Sequence, residues 1–164
     1  MLNSGMGQTT LEISDLPLIP GRDYQASLVQ HGNVKMRLLE VWLVCEEEAT
    51  FTQGTDIRTE SREVFRGSCF CQNDFEIELS QPFRALCRIV VPQSAMHSFQ
   101  SGHNVVRWKL VVRGEAERWP VFERGFPVVV YPGENTMQVE VGSRVARQAL
   151  MPAVSPAAVA GAGA

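Results

Sequence analysis

Two runs near the middle of the chain alternate apolar and polar side chains with a period of two, and they commit that region to a pleated sheet. Residues 83–91 put Phe83, Ala85, Cys87, Ile89 and Val91 on one side, with Arg84 and Arg88 on the other. Residues 106–113 repeat the pattern, with Val106, Trp108, Leu110 and Val112 against Arg107, Lys109 and Arg113. A strand turns this alternation into one buried face and one wet face, whereas a helix would scatter it around its axis. Residues 126–131 are apolar on both faces and are expected to form a central strand. Pro92 and Pro132 close the first and third runs, because proline has no N–H to give to a ladder. Gly102-His103-Asn104 and Gly114-Glu115 read as the turns around the second.

The rest of the chain follows the same grammar. Residues 1–7 read as a flexible lead and residues 9–13 as a short strand. A loop punctuated by Pro17, Pro20 and Gly21 follows. A strand at 24–30 then meets a tight turn at His31-Gly32-Asn33, and with the run at 34–45 it predicts a hairpin. Within that run Met36 and Leu38 share one parity, and Leu39, Val41, Leu43 and Cys45 the other. A β-bulge near Leu38-Leu39 would bring both sets to one core. Leu, Glu and Met content makes a helix the rival for residues 35–49, and Val, Trp and Cys favour the strand. Glu46-Glu47-Glu48 reads as a solvated strand end. Residues 57–66 read as an exposed edge strand, 68–72 and 75–79 as further short strands, and the region around Val139 and Val141 as a last one. An Ala-rich helix running to Leu150 is a further reading, and residues 143–164 are an expected disordered Ala/Pro/Gly-rich tail.

The chain has 164 residues, of which 45% are hydrophobic and 20% charged, enough for one sandwich core without metal or disulfide staples. A net charge of −3 argues against nonspecific nucleic-acid binding. Cys45 and Cys87 sit inside apolar strand runs and read as reduced, buried residues, which points to the cytoplasm. No run approaches the roughly 20 apolar residues of a membrane-spanning helix, and no secretory leader is recognisable.

Several motifs together resemble arrestin-like β-sandwich domains. They are Phe-Glu-Ile-Glu-Leu at 75–79, Pro-Phe-Arg-Ala at 82–85, Val-Pro at 91–92, Met-His-Ser-Phe at 96–99, His-Asn at 103–104, Val-Arg-Trp-Lys-Leu-Val-Val-Arg-Gly at 106–114 and Phe-Pro-Val-Val-Val-Tyr-Pro at 126–132. The resemblance runs over about residues 9–141 and is strongest with uncharacterised bacterial proteins that carry such a domain. Together with the strand pattern it predicts an all-β, antiparallel immunoglobulin-like or arrestin-like sandwich of about eight to ten strands over residues 8–142, with no major helix. What the resemblance implies for function is a non-catalytic adaptor or scaffold that binds a protein or peptide, either in the cytoplasm or as the soluble part of a membrane-associated protein. It transfers no functional residue, and it implies no cofactor and no metal.

Two sets of residues invite a functional test. Arg84, Arg88, Arg107, Lys109 and Arg113 occupy the outward parity of two runs that would be neighbours in a meander. There they would form one basic stripe for an acidic peptide segment or an anionic membrane surface. The alternative is a solvated face paired with Glu76 and Glu78. Cys69-Phe-Cys71 with His97 and His103 is the one set with metal-ligand chemistry, and it carries the competing reading of a metal-dependent or hydrolytic enzyme. Cys-x-Cys aims both sulfurs at one face, but zinc sites usually separate their cysteines by two residues. Ser98 and Ser101 lack a nucleophile elbow, so no hydrolase triad is supported. If the stripe fails, the sheet edges and the loop at 96–104 are the next places to look. The sequence leaves the oligomeric state open.

Overall fold

A computed structural model describes residues 5–133. The strand expected around Val139 and Val141, the helix to Leu150 and the tail at 143–164 lie outside the described residues. The described chain forms eight strands. These are β1 (Met6–Ile13), β2 (Asp23–Gly32), β3 (Val34–Gln53), β4 (Asp56–Ile77), β5 (Phe83–Val90), β6 (Phe99–Gln100), β7 (Asn104–Ala116) and β8 (Phe122–Val128). They build an antiparallel sandwich. One sheet has the order β1-β2-β5; the other runs β4-β3-β7-β6, with β8 also paired to β7. No helix among the described residues is long and apolar enough to cross a membrane.

Alternation decides which faces meet. Ala26 and Leu28 of β2 and Cys87 and Ile89 of β5 pack against Met36, Leu39, Val41, Leu43 and Cys45 of β3, and against Val106, Trp108, Leu110 and Val112 of β7. All of these are buried, and Phe83 packs against them part-buried. This is the core the sequence placed on the inner parity. The parity change in β3 is also real. Met36 pairs with Ala116 and Leu38 with Glu115, so Arg37 is the extra residue against β7. The bulge therefore sits one or two residues earlier than expected, and it turns both Met36 and Leu39 inward.

One polar group lies deep in this interior. Gln30 is 0% exposed. Its amide donates to the carbonyls of Gly7 at 3.2 Å and His31 at 2.9 Å, and its oxygen accepts from the Thr9 hydroxyl. Arg124 donates in turn to Thr9 at 2.7 Å. Every polar atom of the amide is satisfied, which is the condition for burying one cheaply.

Several connections differ from the sequence reading. The turn at residues 31–33 makes no hairpin: β2 pairs with β1 and β5, while β3 pairs with β4 and β7, so the turn carries the chain from one sheet to the other. Each strand has an apolar inner face, and facing them across the core buries both. The runs at 57–66 and 68–72 and the first part of that at 75–79 are one strand, β4, of 22 residues, which ends at Ile77. It is continuous because its irregularities are bulges and not turns, with Val64 and Cys69 as extra residues against β3. β8 lies at an edge and is not central. Its apolar continuation meets the connection between β1 and β2, where Leu18 N donates to Val129 O and Tyr131 N to Leu18 O, both at 2.8 Å. Val130 is buried there, while Val129 and Tyr131 stay exposed. Gly114 lies within β7 and is no turn former; a Cβ there would fall 2.2 Å from the Phe122 ring.

The hairpin of β3 and β4 outruns the rest of the sheet. Pairing of β3 with β7 ends at Ala49 and Asn104, whereas β3 and β4 stay paired to Gln53 and Asp56. Gly54 turns the ribbon with φ of +67°, a left-handed conformation that glycine adopts at little cost. Every residue from 51 to 64 is exposed, so neither face of this arm is covered.

Candidate functional site

The sheet topology separates the five cations expected in one stripe. Arg84 and Arg88 belong to β5 in the three-stranded sheet, and Arg107, Lys109 and Arg113 to β7 in the other. The two runs are consecutive long strands but not neighbours, because the chain crosses from one sheet to the other between them. Most of the cations are also neutralised locally. Lys109 meets Glu46 at 2.8 Å, Arg107 meets Glu48 at 3.2 Å, and Arg113 meets Glu40 at 3.4 Å and Glu115 at 2.6 Å. Arg88 is paired with Asp23, while Arg84 has no ion pair among the described residues. The acidic run is thus no loose strand end. Glu46, Glu47 and Glu48 lie within β3, half-buried, and Glu47 takes Arg62 of β4 at 3.2 Å. Hydrogen bonds to Glu115 and Glu40 raise the Arg113 pKa further above its ordinary value. The outer face of the larger sheet is a ladder of matched charges over buried Val44 and Val111, with the Arg66 guanidinium 5.4 Å from the Trp42 ring centre.

The cysteines and histidines do not converge. Among the described residues, no three of His, Cys, Asp or Glu are grouped as metal ligands are. Cys69 and Cys71 lie on β4, with Cys71 exposed. Burial pushes the Cys69 and Cys45 thiols up to about 11 and that of Cys87 up to about 12, which holds all three in the unreactive protonated form at neutral pH. His97 and His103 flank β6 near the other edge. His97 packs edge-on against Phe99, with ring centres 6.4 Å apart, and the carbonyl of exposed His103 accepts from Thr50 N at 2.7 Å.

What the fold does assemble is an apolar ridge at the open end of the sandwich. Pro92 stops β5, and the chain then passes beneath β7 through residues 93–98. Three contacts pin this segment from behind. Trp108 Nε1 donates to Met96 O at 2.7 Å, Ser98 N donates to Val130 O at 2.8 Å, and Val130 N donates to Ser98 Oγ at 2.9 Å. Met96 and Phe99 are left 54% and 46% exposed, although both are large and apolar. Phe99 divides two hollows. One, of about 440 Å³, is lined by Met96, Phe99, Val106 and Ala49 and rimmed by Glu47, Glu48, Glu60 and Arg62. The other, of about 390 Å³, takes in Phe99, Val105, Pro127 and Val129, with Glu46, Arg107 and Lys109 at its edge. The first rim carries more acid than base, since Glu60 has no ion pair among the described residues. A further depression of about 580 Å³ on the smaller sheet is lined by Asp23, Tyr24, Leu86 and Arg88, among others.

Sequence reasoning named the loop holding this ridge but not the ridge itself. The available signal was Met96 and Phe99, two large apolar residues in a connector otherwise made of Gln, Ser, His, Gly and Asn.

The described residues define an all-β antiparallel sandwich, the fold class expected from the sequence. Among solved structures, the chain resembles Spo0M, a sporulation control protein from Bacillus subtilis, with a TM-score of 0.64 at 10% identity. The match covers 85% of this chain and 56% of that one, so this chain corresponds to about half the length of Spo0M. A DUF4466 family protein from Parabacteroides merdae matches at a TM-score of 0.39 and 11% identity, over 76% of this chain and 45% of that one. No family model matches the chain, and no curated protein sequence does. At 10% identity the likeness to Spo0M extends to the fold alone.

Proposed function

We infer that the protein is a non-catalytic binding module that takes a protein or peptide partner at the open end of its sandwich, across Phe99. One observation carries this reading: Met96 and Phe99 are held outward by a segment that hydrogen bonds fix from behind. A loop free to relax would fold such side chains inward; a pinned apolar ridge between two hollows is the form of a contact anchor. The partner is a segment with apolar anchors and basic flanks, because the rim of the first hollow is acidic. This reverses the charge expected from a basic stripe, since the β7 cations already have carboxylate partners.

The test is fluorescence polarisation with extended peptides that alternate apolar and lysine residues, set against the same peptides with glutamate in place of lysine. Basic–apolar peptides should bind, and Phe99→Asp should weaken them about tenfold or more, as loss of a buried aromatic anchor does. The exposed position makes that variant compatible with folding, which circular dichroism checks. Equal binding by the variant, or binding only by the acidic set, sinks the reading.

A further inference from the structure

β4 is an edge strand, hydrogen-bonded on one side only by β3, and residues 56–63 are its regular stretch. The bulges at Val64 and Cys69 lie further along. Such an edge presents unpaired backbone donors and acceptors to any strand laid against it, and charged side chains usually prevent that. Here the charges have an order. Asp56, Arg58, Glu60 and Arg62 share one face and alternate in sign, opposite Gln53, Phe51, Ala49 and Glu47 of β3. Arg58 and Glu60 have no ion pair among the described residues, and the Arg62 side chain is 77% exposed although it meets Glu47.

This order is most fully self-complementary in one register: axes at Ile57 or Ser61 also set opposite charges together, but within 56–62 they pair only 56 with 58 or only 60 with 62. An antiparallel copy centred on Thr59 sets position 58 against 60 and position 56 against 62. Every charged residue then faces its opposite across the new ladder, twice over by symmetry. Centred on Glu60 the same edge would set Arg58 against Arg62, and centred on Arg58 it would set Asp56 against Glu60. Like charges directly opposite destabilise a strand pair and opposite charges stabilise it, so the sequence selects the Thr59 axis. We propose that two copies of this chain pair through residues 56–62 about a two-fold axis at Thr59, joining their larger sheets into one continuous sheet. The contact is isologous, which closes the assembly at two copies. It shares Glu60 and Arg62 with the rim of the first hollow, but Phe99 itself is on β6, across the sheet order from β4.

The experiment is sedimentation equilibrium over a concentration series, with charge variants that circular dichroism shows to be folded. The wild type should associate from monomer to dimer, more weakly at high salt. Glu60→Arg alone and Arg58→Glu alone should each raise the dimer dissociation constant roughly tenfold or more, since each makes two like-charge pairs. The double swap Arg58→Glu/Glu60→Arg should restore dimerisation, and mixing the two single variants should restore it as well. A wild type that stays monomeric up to its solubility limit overturns the proposal. So do single variants that dimerise like the wild type, or a double swap and a mixture that both stay monomeric.

Discussion

The indole Nε1 of Trp108 donates a 2.7 Å hydrogen bond to the carbonyl of Met96, tying the ridge segment to the centre of β7. The same side chain is 3% exposed, with its ring 5.6 Å from that of Phe65. One residue therefore fills the core and sets the position of the exposed ridge. Trp108→Ala should cost roughly 3–5 kcal/mol, as truncations of large core residues do. Trp108→Phe keeps an aromatic ring and should lose much less, about 1 kcal/mol for the hydrogen bond plus a packing share. Denaturant midpoints separate the two. Amide exchange at residues 96–99 should quicken in the Phe variant; unchanged exchange would mean the indole does not hold the segment.

Gln30 offers a second test of the interior. Gln30→Leu removes the donor to the Gly7 and His31 carbonyls and the acceptor for Thr9, which keeps its bond from Arg124. A loss of about 1–3 kcal/mol is expected despite the gain in apolar volume. A neutral or stabilising result by chemical denaturation would mean that water replaces the amide.

The thiols should sort by burial. Cys71 is exposed, Cys69 part-buried, and Cys45 and Cys87 buried. Brief alkylation of folded protein at pH 8 should label Cys71 alone, and unfolding should release the other three; intact-mass and peptide analysis read the result.

Those buried thiols also imply a pH dependence. The Cys87 thiol rises from 9.0 to about 12 in the folded state through burial. Above pH 9 the unfolded chain loses this proton while the folded chain keeps it, so stability falls as pH rises through that window and is independent of this group below it. Cys87→Ala should flatten the decline between pH 9 and 11 relative to the wild type, whatever its offset in absolute stability. Parallel curves would assign the alkaline loss to other groups.

The charge ladder should matter little to stability. Lys109 and Glu46 are each about one-third exposed, and water screens such pairs. Lys109→Met keeps the stem that lies over Gly125, 3.7 Å from where a Cβ would stand. It should shift stability by less than about 1 kcal/mol, a difference thermal melts can resolve. A large loss would show the pair to be a structural lock.

The sequence by itself determined that the described chain is built of strands and which faces of the main ones turn inward. Parity alone placed Cys87, Ile89, Trp108 and Leu110 in the core, because a pleat sends alternate residues to opposite sides whatever the strand pairs with. The parity break in β3 even disclosed its bulge to within two residues. Gln30 shares the parity of Ala26 and Leu28, but the sequence did not mark it as buried, and only the contacts of Gly7, Thr9 and His31 show what makes a buried amide tolerable. Partnership was decided elsewhere. Period two is a property of one strand, while pairing depends on which inner faces meet across the core. Residues close in sequence, such as Leu28 and Met36, therefore went to opposite sheets, and the cations of β5 and β7 parted with them. The Phe99 ridge was also beyond local reading, because its exposure depends on Trp108 and Val130, which are distant in sequence and fix the segment only once both sheets have closed.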